Sequence, residues 1–452
     1  MPTTGLKRAN LPKGWDAKPR VYSFSNDDSR AAKFKTVGQA SFHEEATGPY
    51  CQKERDSMII VTKPYVSEVL ADTLRRCKVP VLKADPVNIP MEEVMNLVSE
   101  QQFFDRYRSS HTPPSLLCNS EASLQVIGNN LQDHPTWKMV NLFKNKAAFR
   151  SFMQDEYPQF YFQTLELSSW DSIDPATLPY PIIVKPVIGY SSIGVYRVEN
   201  AGKWNEVKRK VRQVLAEGAD MYSADVVNTN ELIIEQWIDG MEYAIDAYFD
   251  AAGEPVVLNV FARKFMDDGD TSDRIYYTGK HVIQEMLGPI FEFLSKIGKK
   301  LDLRNFPLHA EVRQTSEGSI VPVEINPFRF AGIGTTELGI HAYGINSYES
   351  FFQERKPDWE SILSNMDDAV YSFFCAEFEL RSGQIIRGFD HEGLKKHFQQ
   401  ILEYRIMPEE FNTFAVVFYR SETSLENHRL IRMNLDSYII DKQVQHAGSM
   451  SS

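Results

Sequence analysis

The chain has 452 residues, 42% of them hydrophobic and 24% charged, and its 61 acidic against 49 basic side chains give a formal net charge of −12. At about 100–200 residues per domain this length suits two to four domains, and the acidic balance argues against non-specific nucleic-acid binding, which draws on a surplus of Lys and Arg. No apolar run reaches the roughly 18–20 residues of a membrane span. The first residues carry no apolar signal core, and four scattered cysteines (Cys51, Cys77, Cys118, Cys375) without CxxC spacing suit inert buried thiols in a reducing, cytoplasmic setting.

Residues 1–56 read as an extension of unassigned role, with one short strand at Val21–Phe24. SMIIVT from Ser57 is short, β-branched and continuously apolar, the pattern of a buried strand. PYVSEVLADTLRRCK places Val66, Leu70 and Leu74 on one helix face, and VPVLKA follows as a second strand, so a parallel crossover is expected. MEEVMNLVSEQQFFDRYRSS reads as a helix, PSLLCNS as a strand, and SEASLQVIGNNL as a helix with Ser120 as N-cap. Residues 57–135 are thus a small α/β domain. LFKNKAAFRSFMQD reads as one helix. YPIIVKPV and IGVYRVE flank a Gly/Ser turn, and WNEVKRKVRQVLAEG is an amphipathic helix. ELIIEQWI, YAIDAYFD and EPVVLNVFARKF form a run of strands with a turn at Ala252-Gly253. A helix is expected over Val282–Lys300, then the strands LHAEVRQ and SIVPVEINP. Residues 351–441 read as an α+β add-on: strand VYSFFCAEFEL, helix HEGLKKHFQQILEYR, and strands FAVVFYRS and LIRMNLDSYII. Residues 442–452 are expected to be a disordered tail.

Three groups of residues carry chemistry. Lys185 sits in the apolar strand PIIVKPV, where an unpaired ammonium is costly. The turn after it offers Gly189, Ser191, Ser192 and Gly194, a composition that presents backbone N–H groups to phosphates; an edge-strand lysine reaching solvent explains Lys185 equally well. In EQWIDGMEYAID, the strand end Glu235-Gln236-Trp237-Ile238 offers backbone groups to a flat heterocycle and Glu242 a carboxylate to ribose hydroxyls, although a hairpin with an exposed Glu accounts for the same residues. Alternation places His309, Glu311 and Arg313 on one strand face and Glu324 and Asn326 on another. Paired as a hairpin across Ser316–Gly318, these strands bring two carboxylates and an amide oxygen together, hard ligands that suit Mg²⁺ leaning on substrate phosphates; the competing reading is a polar outer sheet face.

In their order and spacing these pieces resemble the ATP-grasp superfamily of carboxylate–amine ligases, over roughly Ser57–Tyr348. The resemblance implies an ATP-grasp fold in residues 136–350, α/β and α+β in class, preceded by a small Rossmann-like α/β domain and followed by the C-terminal add-on. It implies ATP and Mg²⁺, with Mn²⁺ as an alternative, and the following roles. Lys146, with Lys144 as its competitor, and Lys185 contact phosphates, and Gly189–Gly194 is the loop that closes over them. Glu235, Gln236, Trp237 and Ile238 form the hinge, with Gln236 and Ile238 bonding adenine through their backbones. Glu242 binds ribose, and Glu311, Glu324 and Asn326 bind the metal. The loop is poorer in glycine than the family's. The family's EINPR reads here as Glu324-Ile325-Asn326-Pro327-Phe328-Arg329, so the arginine comes one place late; Arg329 is nevertheless taken as the catalytic phosphate cation, with Arg313 as its alternative.

The reaction so implied activates a small carboxylic acid as an acyl phosphate for attack by an amine, with ADP and phosphate released. Arg263 is the candidate ligand for the acid's carboxylate, against an ion pair with Asp267 or Asp268. His309 is a candidate proton shuttle, or packs beside the metal face, and Glu337 is a candidate ammonium ligand. The expected partners are small acids and amines, without nucleic acid or membrane, and a homodimer is compatible with the add-on. Phosphotransfer, thioester formation, nucleotide binding without catalysis and a bicarbonate-using carboxylase are the rival readings.

Overall fold

The computed structural model describes residues 57–441 apart from 90–95, 111, 190–193, 220–229, 268, 379–385 and 409–410. The expected strand Val21–Phe24, the tail 442–452 and the candidates Ser191 and Ser192 lie outside the described residues. No helix among those described is long and apolar enough to cross a membrane.

Strand β1 (Ser57–Val61), helix α1 (Glu68–Cys77), β2 (Pro80–Lys83), β3 (Asn96–Leu97), α2 (Glu100–Ser109), β4 (Ser115–Cys118) and α3 (Ser123–Leu131) build a parallel sheet in the order β3-β2-β1-β4. All of β1 and β4 is buried, as continuous apolar runs in parallel sheets are. Of the helix expected from residue 91, residues 91–95 lie outside the described residues, Asn96–Leu97 are β3, and α2 begins at Glu100. Ser99 and Gln102 form a reciprocal capping box there, which satisfies two otherwise orphaned backbone donors at that point. Ser120 does not cap α3. Its hydroxyl donates instead to the Lys63 carbonyl and lies 2.7 Å from the Thr62 hydroxyl.

The expected single helix at LFKNKAAFR is two helices, α4 (Pro135–Lys144) and α5 (Lys146–Phe152). Asn145 stands between them in an extended conformation, and its side chain accepts from the Ala148 N–H at 2.9 Å. An asparagine competes with the helix for backbone bonds and serves well as an N-cap. Across the break, Lys144 and Lys146 both reach Glu324.

An antiparallel four-stranded sheet follows, in the order β5 (Phe162–Glu166), β8 (Glu231–Gln236), β6 (Ile182–Pro186), β7 (Tyr196–Val198). Helix α6 (Trp204–Ala219) covers it, burying Val207, Val211 and Leu215 against Ile182, Val184 and Ile234. The remaining long strands are β9 (Met241–Phe249), β10 (Pro255–Lys264), β11 (Ile275–Thr278), β12 (Phe306–Gln314) and β13 (Ile320–Pro327), with α7 (Lys280–Leu301) between β11 and β12. Short helices α8 (Leu338–Tyr343), α9 (Ser347–Gln353) and α10 (Trp359–Asn365) lead into β14 (Val370–Glu377), β15 (Ile386–Phe389), α11 (His391–Lys395), β16 (Gln400–Ile406), β17 (Thr413–Ser421), α12 (Leu425–Leu430) and β18 (Ile439–Asp441).

Strands β14, β17 and β16 of the C-terminal region form no separate sheet. They extend the central one, whose order is β13-β12-β9-β10-β11-β14-β17-β16. Two expectations fail here. HEGLKKHFQQILEYR is helical only over His391–Lys395, because residues 400–406 pair with β17. LIRMNLDSYII is not one strand: α12 takes its start and β18 its end. In the first, a pairing partner distant in sequence overrides a local helix preference.

Alternation on the central sheet separates core from site. Ile245, Ala247, Leu308, Ala310 and Val312 face α7, against Ile283, Met286, Ile290 and Leu294. Their neighbours Glu242, Asp246, His309, Glu311 and Arg313 therefore face the other way. The connection from β8 to β9 is held close to β12 by Gly240. Its φ is +117°, and a Cβ there would lie 1.9 Å from the Gln314 carbonyl oxygen. Gly240→Ala is expected to destabilise the fold by about 2–3 kcal/mol; an unshifted denaturation midpoint would show that this backbone approach is dispensable.

Candidate active site

A cleft of about 480 Å³ lies between the four-stranded sheet and the β9-β12-β13 edge of the central sheet. Into it come Lys146 and Arg150 from α5, Lys185 from β6, Glu235 from β8, and Glu242, Glu311 and Glu324 from β9, β12 and β13. Register explains the convergence. Glu311 pairs with Glu324 on one side and Ala244 on the other, Arg313 pairs with Glu242, and His309 pairs with both Asp246 and Asn326. An irregularity in the β12–β13 ladder follows Glu311 at once, and bulges of this kind re-aim side chains beside functional sites.

Three charge networks line the cleft. Glu235 is 3% exposed and accepts from Arg150 Nε at 2.6 Å and pairs with Lys185 Nζ at 2.7 Å. Burial alone would raise its pKa, but the guanidinium and the ammonium outweigh burial and hold it at about 2. Lys185 therefore does not reach for solvent; it is a buried cation with a fixed counter-ion. Glu242 is shared by Arg263 at 2.8 Å and Arg313 at 2.9 Å. Arg263 also donates to the Thr271 and Ser272 carbonyls and pairs with Asp273, so among the described residues its acidic partners are Glu242 and Asp273 rather than Asp267; Asp268 lies outside the described residues.

The third network holds Glu324, whose Oε1 lies 3.1 Å from Lys144 Nζ and 3.3 Å from Lys146 Nζ. Burial opposes its ionisation, but Lys146 and Lys144 pull its pKa far below the usual carboxylate range. Lys146 itself is lowered, first by burial and further by the nearby ammonium groups of Lys144 and Lys185. Its Nζ also donates to the Gly189 carbonyl at 3.1 Å. Ammonium groups crowded in this way call for an anion. Glu311 presents the opposite case. Burial, then Glu324, then Glu242 push it up to about 7, and among the described residues its one contact with a basic side chain is His309 Nε2 at 3.9 Å.

The hinge is braced by its own neighbours. Gln236 N–H donates to the Tyr161 carbonyl, Trp237 N–H to the Pro181 carbonyl, and Arg313 to the Ile238 carbonyl at 2.8 Å. The guanidinium groups of Arg197 and Arg313 each lie 4.2 Å from the Trp237 ring centroid, a cation–π arrangement.

Other sequence candidates lie elsewhere. Asn326 is buried, does not line the cleft, and accepts from Lys144 Nζ at 3.0 Å. Arg329 also stands outside the lining, with its Nε 3.1 Å from Glu121. Phe328 explains the offset of the arginine: with φ at +61° it turns inward and packs on Phe306 at 4.5 Å. His309 is fixed through Nδ1 by the fully buried Asp246 at 2.8 Å. Glu337 receives the Ser67 hydroxyl and pairs with Arg405 at 2.7 Å, away from the cleft lining. Gly194 has φ at +73° and packs against Pro186. The residues that sequence reasoning missed are Arg150, Asp246 and Glu121. Arg150 lies one helical turn from Lys146 and Asp246 two strand steps beyond Ala244, so periodicity carried a signal for both; Glu121 had none.

Among the described residues no three His, Cys, Asp or Glu side chains form a metal cage. The donor set fits Mg²⁺ in another way. Two carboxylates occupy paired positions, and burial, then the other carboxylate, drives one of them toward protonation, a repulsion that a divalent cation would offset. Magnesium commonly takes one or two carboxylates and completes its shell with water and phosphate oxygens.

The ATP-grasp domain family matches residues 178–337. No curated protein matches the chain in sequence. Among solved structures, the L-amino acid ligase from Bacillus licheniformis is similar with a TM-score of 0.60 and 18% identity, over 86% of this chain and 99% of that one. The biotin carboxylase domain of the Hydrogenobacter thermophilus 2-oxoglutarate carboxylase gives 0.52 at 12% identity, over 85% and 91%. The N5-carboxyaminoimidazole ribonucleotide synthetase of Thermotoga maritima gives 0.51 at 12%, over 85% and 99%. The parallel α/β unit, the cleft between two antiparallel sheets and the matched domain agree: residues 178–337 carry an ATP-grasp domain, and the chain has the ATP-grasp fold.

Proposed function

We propose that the chain is an ATP-dependent ligase that joins a small carboxylic acid to an amine through an acyl phosphate. The observation that carries this reading is the convergence of Lys146, Lys185, Glu311 and Glu324 in one cleft beside the braced hinge. A carboxylate is a poor acyl donor because its oxygen leaves badly. Attack of the acid's oxygen on the terminal phosphorus of ATP breaks the bond to ADP, and attack of the amine on the resulting acyl carbon expels phosphate. Such transfer needs positioning and neutralised charge more than covalent help.

Lys146 and Lys185 hold phosphate oxygens, and Glu235 keeps Lys185 in place. Glu311 and Glu324 would hold Mg²⁺, which supplies charge neutralisation to the phosphates when bound. Glu242 shapes the ribose end together with Arg263 and Arg313. Since Glu242 and the Ile238 carbonyl already engage Arg313, that arginine braces the hinge. The similar fold of an L-amino acid ligase makes amino acids the first acids and amines to test.

Purified protein with ATP and Mg²⁺ is expected to release ADP and phosphate in equal amounts only when both an acid and an amine are supplied. Release supported by acid and thiol, or by bicarbonate, would replace amide formation with a rival chemistry. No release across a broad panel would leave nucleotide binding alone.

A further inference from the structure

We propose that Lys144 and Glu121 form a positioning bridge that aims Glu324 and Asn326 from behind the cleft wall, so that the α/β unit completes the metal-binding side of the site. The inference rests on the functional reading above. Lys144 ends α4 and is 8% exposed. Its Nζ lies 2.5 Å from Glu121 Oε1, 3.1 Å from Glu324 Oε1 and 3.0 Å from Asn326 Oδ1. An ammonium group has three donors, and these acceptors use all three. None remains for a phosphate, and Lys144 does not line the cleft, whereas Lys146 does. The two lysines, adjacent but for the break at Asn145, thus divide the work: one faces ligand and the other holds Glu324, the carboxylate that would bind metal, together with its neighbour Asn326.

Glu121 anchors the bridge from the far side. It precedes α3 in the α/β unit, and its second oxygen accepts from Arg329 Nε at 3.1 Å. One carboxylate therefore fixes both the lysine behind Glu324 and the arginine that follows the same strand. Groups that hydrogen-bond to metal ligands set their orientation, and their loss typically costs about 10–100-fold in metal affinity.

The test uses the full chain, with ADP as nucleotide and Mn²⁺ as an observable metal. Two constants are measured: ADP affinity in chelator, and Mn²⁺ affinity of the ADP-saturated protein by electron paramagnetic resonance. Lys144→Met is expected to weaken Mn²⁺ binding about 10–100-fold and leave metal-free ADP affinity unchanged. Glu121→Gln should weaken it in the same direction, and the double variant should be no worse than Lys144→Met alone, because the pair acts as one unit. If Lys144→Met does not fold, Glu121→Gln carries the same comparison. A loss of metal-free ADP affinity, with Mn²⁺ binding intact, would make Lys144 a phosphate ligand and overturn the proposal. So would equal losses in both constants, the mark of a merely structural role. Wild-type protein that binds neither probe sinks the functional reading and this inference together; wild type that binds both, with variants that match it, sinks the inference alone.

Discussion

Glu311→Gln is expected to lower Mg-ATP-dependent turnover by about 10²–10³-fold, the cost of removing one preorganised electrostatic contact, without lowering stability. The two halves of this result have one cause. Glu311 faces Glu324 across paired strands and has no hydrogen-bonded cation of its own, so burial and the neighbouring carboxylate push it up to about 7. A glutamine of the same size removes that repulsion and keeps the shape of the cleft wall. The denaturation midpoint should therefore stay or rise while turnover collapses. A site that costs stability in the absence of its ligand is the pattern expected where groups are arranged for binding. Turnover at the wild-type rate would remove Glu311 from the metal site. A midpoint lowered together with turnover would mean that its carboxylate serves the fold instead.

Glu235→Gln should have the opposite signature, a large loss of stability of about 3–5 kcal/mol, because it leaves buried cations without their counter-ion. Arg150 and Lys185 both lean on this carboxylate, and Arg150 is further fixed by the Pro322 carbonyl at 2.6 Å and by stacking 4.4 Å from the Phe160 ring. The pH dependence follows from the lowered pKa. The carboxyl titrates near 2 in the fold against a reference of 4.5. Its contribution is fully present above the higher value and is lost as pH falls toward the lower one. Between these limits the wild type should lose stability faster than Glu235→Gln, as read from denaturant midpoints at stepped pH. Parallel curves would show that the three side chains do not stabilise one another. Because the same carboxylate positions Lys185, nucleotide affinity should fall with it, so activity and stability move together here, unlike at Glu311.

Much of the site was legible because strand alternation is a local rule. Once LHAEVRQ and VPVEINP are strands, Glu311 must share a face with His309 and Arg313, and Glu324 with Asn326. The buried lysine of PIIVKPV announced an anionic partner for the same kind of reason: an isolated charge in an apolar run is too costly to stand alone. Its identity as Glu235 was not readable, since that pairing depends on β6 and β8 lying side by side. Local rules also misled. An unbroken helical pattern hid the turn at Asn145, and a helix-like stretch at 400–406 became a strand because β17 offered it a ladder.

The sequence by itself determined the periodic elements, the strand faces and the residue types able to bind a metal nucleotide, because these follow from backbone geometry and side-chain chemistry over a few residues. The tertiary structure alone decided which charges neutralise one another. Lys144 meets Glu121 and Glu324, Glu337 meets Arg405, and Arg329 turns to the α/β unit, because Coulomb energy depends on distance in space and these partners come from segments far apart in the chain.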